Sequence, residues 1–166
     1  AGDRIDFYSL LIAIFLMGNF LSAFQIHIIP RADVVSEDKA AHNAVTNSLT
    51  QLIARICNDF RGTAFEEVGG KLIYAFEQVS FAVQAAIAIQ IEADAINTKN
   101  HVAPIGLISI GVVSLVNPFT GLRENERSVQ LASFIAEAAG PGELYLSEGV
   151  YDTLQDPGLL LCRFTR

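Results

Sequence analysis

Residues 62–76 read GTAFEEVGGKLIYAF. Thr63 to Val68 is a short run with aromatic and β-branched residues, and Lys71 to Phe76 is a second. Gly69-Gly70 between them is a two-residue connection that accepts the positive φ a tight hairpin demands. The stretch therefore predicts two antiparallel strands. Upstream, Ser36-Glu37-Asp38-Lys39 offers a capping hydroxyl and two acids at the positive end of a helix. Ala41, Val45, Leu49, Leu52, Ile53 and Ile56 follow at helical period, so a helix is expected from Ser36 to about Phe60, stopping at Gly62. Downstream, Ser80 to Asn97 predicts a second helix with Phe81, Val83, Ala86, Ile87 and Ile91 on its inner side.

Ile105 to Val116 predicts a long apolar strand interrupted by Gly111. Pro118 to Glu124 reads as a loop and Ser128 to Ala139 as a third helix, closed by Gly140-Pro141-Gly142. Leu144 to Ser147 reads as a strand, Glu148 to Leu154 as a short helix and Leu160 to Thr165 as a last strand. At the other end, Asp6 to Phe15 reads as a buried strand. Phe24 to Val35 reads as an irregular connection with room for a short strand at Gln25 to Ile29. The order predicts an α+β fold of ferredoxin-like type, a mostly antiparallel sheet with helices packed on one face. A single domain over 1–166 is expected, with 1–35 its irregular part.

Composition narrows the function. The chain has 166 residues, 51% of them hydrophobic, and a net charge of -7. Disorder is excluded by the first property, and non-specific attraction to nucleic acid or an anionic membrane is disfavoured by the second. Cys57 and Cys162 read as two reduced core thiols, and His27, His42 and His101 have no metal-ligand spacing. The apolar run FYSLLIAIFLMGNFL, residues 7–21, falls short of the ~20 residues a membrane-spanning helix needs. A strand and tight loop is the preferred reading there, with a membrane segment as the alternative.

Three stretches carry a resemblance: GTAFEEVGGKLIYAF (62–76), FAVQAAIAIQ (81–90) and GPGELYLSEGVYDTL (140–154). In order and spacing, from Lys39 to Leu154, they resemble the class III adenylate and guanylate cyclase catalytic domain. The match is clear over residues 36–166 and loose before them. The resemblance implies attack of a ribose 3′ hydroxyl on the α-phosphorus of a nucleoside triphosphate, assisted by two metal ions. Two Asp residues of the family hold those ions, since hard divalent cations take carboxylate oxygens.

At the family's functional positions this chain departs from the pattern. The hairpin Asp corresponds to Gly70. The first-strand Asp corresponds to Ala13 in one register and to Ile26 in the ungapped one, and neither is an acid. The purine-reading Lys corresponds to Glu66 and its partner to Arg127. The transition-state Asn and Arg correspond to Gln130 and Phe134. Losing one such donor costs ~10²–10³ in rate.

The resemblance thus implies a degenerate domain with no catalytic residues, no metal site and no cofactor. Its expected role is dimerisation or ligand sensing in a signalling protein, as a head-to-tail homodimer. The mean hydropathy of +0.38 agrees with apolar surface reserved for a partner. A cytoplasmic setting is expected, with a membrane or sensor segment upstream as one option. Two alternatives stay open: a residual cyclase using Glu66 or Glu67, and nucleotide binding without turnover. Three local features are expected as well. Gly69-Gly70 is a plain turn rather than an anion nest, Glu66 and Arg127 are a pair or two solvated charges, and Phe134 fills the vacated pocket.

Overall fold

In the computed structural model, the described residues are Gly18, 20–29, 39–66, 71–99 and 107–154. They form five strands and four helices: β1 (Ser22–Ile29), α1 (Lys39–Asp59), β2 (Thr63–Glu66), β3 (Lys71–Phe76), α2 (Val79–Lys99), β4 (Leu107–Ser114), α3 (Asn125–Ala138), β5 (Leu144–Leu146) and α4 (Glu148–Thr153). The sheet order is β2-β3-β1-β4-β5. β1 lies at its centre, antiparallel to both β3 and β4; β2 pairs antiparallel with β3, and only β4 and β5 run parallel. The α+β, mostly antiparallel architecture anticipated from the sequence is what the chain adopts.

Two features differ from that expectation. The central strand is Ser22–Ile29, within the region read as irregular, whereas the strand foreseen at Asp6 to Phe15 lies outside the described residues, as does the last strand at 160–165. β1 alternates: Phe24, Ile26 and Ile28 join the main core with Leu49, Ile53, Val83, Ile89 and Ile110, while Ala23 joins a second cluster on the other face. Each fully buried Ile or Phe of this kind contributes about 1.5–3 kcal/mol.

The helices are also not all on one face. α1 and α2 cover the main core, but α3 packs on the opposite face of the sheet, where Val129 and Ala132 meet Ala23, Ile73, Ala75, Val113 and Leu115. Gly111 makes this placement possible. A Cβ there would stand 2.6 Å from Ile135 Cγ1 and 2.8 Å from the Ala132 carbonyl oxygen. What looks like a break in an apolar strand is the place where a helix backbone lies against the strand.

The end of α1 follows the same economy. Arg61, not Gly62, takes the left-handed conformation, at φ 59. Gly62 is needed for space, because a Cβ would meet the Phe76 ring at 2.7 Å. α2 is the one helix among the described residues long and apolar enough to cross a membrane. Here it is a core helix, with Ala82, Val83, Ala86 and Ile89 fully buried. Gln90 on α2 donates from Nε2 to the carbonyls of Ile108 (2.8 Å) and Glu143 (2.9 Å), tying it to β4 and to the turn before β5.

Candidate functional site: the outer face of helix α3

The 140–143 turn is built from the GPGE sequence. Gly142 has φ 81, its N–H donates to the Ile108 carbonyl at 2.9 Å, and Gly140 N–H donates to Glu143 Oε2 at 2.7 Å. Ser147 then caps α4 by accepting from Val150 N–H. At the opposite end of α3 the loop closes through the Val116–Arg123 bridge, and Arg123 donates to the Phe20 carbonyl. Between these fixed ends α3 buries Ser128, Val129, Ala132 and Ala136.

Its other stripe faces outward. Arg127, Gln130, Leu131 and Phe134 are all exposed, at the i, i+3, i+4, i+7 spacing of one helix face. Phe134 is 68% exposed and Leu131 42%. Phe134 therefore does not fill a pocket of its own chain, because α3 turns it away from the sheet. Arg127 and Gln130 line an open depression of ≈ 590 Å³ with Arg123, Glu124, Asn125 and Glu126. The candidate residues split accordingly. Arg127, Gln130 and Phe134 come together on α3, and Glu66 ends β2 at the far edge of the sheet, with only its backbone described. Gly70 and Ala13, and with Gly70 the turn reading, lie outside the described residues.

A two-metal centre does not fit the residues that are described. The central strand SAFQIHII contains no carboxylate, and Ile26, the ungapped counterpart of the first-strand Asp, is fully buried against the α1–α2 layer. No group of three or more His, Cys, Asp or Glu gathers anywhere among the described residues.

One polar cluster went unread in the sequence. Gln25 and His27 alternate with the core residues of β1 and so belong to the α3 face of the sheet. His27 lies opposite Lys71 in β3 and Ser109 in β4. Lys71 Nζ donates to Glu137 Oε1 on α3 at 2.9 Å, and Ser109 Oγ donates to the Ala136 carbonyl at 2.9 Å. Burial, then the Lys71 charge, lower the His27 pKa, with Glu137 pulling weakly the other way. Lys71 in turn lowers that of Glu137. Polar residues at alternate positions of an otherwise apolar strand were the available signal.

No protein-family model matches the sequence, and no curated relative does. Solved structures do. The adenylyl cyclase CyaB from P. aeruginosa superposes with TM-score 0.65 at 18% identity, covering 80% of this chain and 78% of that one. The guanylyl cyclase Cya2 gives 0.66 at 14%, covering 82% and 78%. An adenylate cyclase from Trypanosoma brucei, solved in its monomeric state, gives 0.63 at 11%, covering 84% and 78%. This chain has the class III cyclase fold. At these identities the likeness carries architecture alone. Within the cyclase-like domain, the chemistry has to be argued from the chain's own side chains.

Proposed function

We propose that this cyclase-like domain is a non-catalytic regulatory module that acts by pairing with a second domain through the outer face of α3. The observation that carries the reading is Phe134. The position that corresponds to a phosphate-neutralising Arg holds a phenyl ring, exposed on the same stripe as Gln130. An aromatic ring offers no charge to a developing phosphorane, but on an outward face it is a good anchor for a protein partner. The carboxylate-free central strand supports the same reading, and no metal or nucleotide cofactor is assigned. The partner we favour is a second copy of the chain, arranged head to tail. The adenylate cyclases from T. brucei solved in their monomeric state make a separable pair a reasonable model. We place the domain on the cytoplasmic side, downstream of a sensor or membrane segment.

Incubation with manganese and ATP or GTP tests the absence of chemistry. The expected result is no cyclic nucleotide. Turnover abolished by Glu66→Ala or Glu67→Ala would overturn the reading. Thermal shift with ATP, GTP and cyclic nucleotides separates pairing from silent nucleotide binding, because a pure pairing module shows no shift.

A further inference from the structure

We propose that His27, Lys71 and Glu137 form a pH-sensitive latch that fastens the C-terminal end of α3 to the sheet. The three groups come from three elements. His27 is on β1, Lys71 is its direct partner on β3, and Glu137 reaches down from the last turn of α3. His27 Nε2 is buried and has no hydrogen-bond partner among the described residues. The groups facing the imidazole are the Lys71 ammonium from β3, the Ser109 hydroxyl from β4 and the Glu137 carboxylate from α3. Lys71 and Glu137 are the charged groups among the described residues that act on it.

With the imidazole neutral, Glu137 serves Lys71 alone and the Ser109–Ala136 hydrogen bond lies undisturbed beside them. With it protonated, two cations on adjacent strands compete for one carboxylate, and one of them is half-buried. Water already reaches the Lys71–Glu137 pair, whose side chains are 33% and 57% exposed, but it does not reach the buried imidazole Nε2, and the simplest way to hydrate that atom is to lift the last turn of α3. The sign is fixed by the direction of the shift. The folded pKa lies below the ordinary 6.5, so the latch is fully fastened above pH 6.5 and weakens as pH falls below it toward the folded value. α3 also carries Gln130 and Phe134, so acidification would change how their face is presented.

Amide hydrogen exchange on the whole chain at about pH 7.5 and about pH 5, corrected for intrinsic rates, tests the latch. The expected result is a several-fold loss of protection at residues 135–139 on acidification, with α1 unchanged, and no such loss in His27→Gln. Equal losses in both proteins, or none in the native one, would overturn the proposal. If His27→Gln fails to fold, an NMR titration of the native imidazole decides. Loss of protection at residues 135–139 that tracks the ring's titration supports the latch, and loss that does not track it, or a ring pKa at or above 6.5, refutes it. Both readouts are taken on dilute protein in its monomeric state and need no cyclase activity, so failure of the latch is distinguishable from failure of the proposed function.

Discussion

A methyl group on Gly111 would stand 2.7 Å from the amide nitrogen of Ala136. No side chain can rotate away to relieve such a contact, because the nearest atoms include the backbone of α3 itself. Gly111→Ala should therefore push α3 off β4 and cost about 1–3 kcal/mol, the usual range for overpacking. In a domain of this size that lowers the thermal midpoint by about 2–4 °C per kcal/mol. Hydrogen exchange should rise along α3 before it rises in α1 or α2, which lie on the other face of the sheet.

At the end of α1 the opposite change should help. Arg61 is exposed and left-handed at φ 59, a conformation that costs an ordinary residue about 1–2 kcal/mol. Glycine removes that strain and returns part of the gain as unfolded-chain entropy. Arg61→Gly should stabilise the domain by about 0.5–1 kcal/mol in urea unfolding. Arg61→Ala should give no gain, which separates a backbone effect from loss of the guanidinium.

The hairpin and the helices that flank it were legible because their signals are local. The short runs on either side of Gly69-Gly70 mark β2 and β3, and the apolar period of 41–56 marks α1. Packing between distant segments was not legible. Pro30 and the changes of character in Phe24 to Val35 left room there for only a short strand at Gln25 to Ile29, whereas Gln25 and His27 mark the second face of a longer one. Gly111 looked like a break because its reason, the backbone of α3, is more than 20 residues away in sequence. Gln130 and Phe134 were singled out by the family resemblance, but their outward direction depends on which sheet face α3 covers. The Lys71–Glu137 pair needs the same knowledge.

Burial pushes the Cys57 thiol up to about 12. At pH 8 almost none of it is thiolate, the reactive form. Native protein should leave Cys57 unmodified by a thiol reagent, and denaturant should expose it fully, with peptide mapping used to distinguish it from Cys162. Modification of Cys57 in the native state at the rate of a free thiol would show that the α1–β3 core opens far more readily than its packing implies.

Phe134 offers the sharpest separation of stability from pairing. Its ring is 68% exposed, so Phe134→Ser removes little from the core, and surface changes of this kind usually stay within about 0.5 kcal/mol. A buried aromatic anchor at an interface is worth about 2 kcal/mol or more, which is over tenfold in association. Sedimentation of the two proteins over a concentration series should show the native chain pairing and the variant shifted to monomer, with the thermal midpoint of the dilute monomer unchanged. Gln130→Ala, one turn away on the same stripe, should weaken pairing less, since it removes no aromatic bulk. If both variants associate like the native chain, the outer face of α3 is not the pairing surface. Loss of association together with a fall in the monomer's midpoint would instead place the ring within the packing of its own domain.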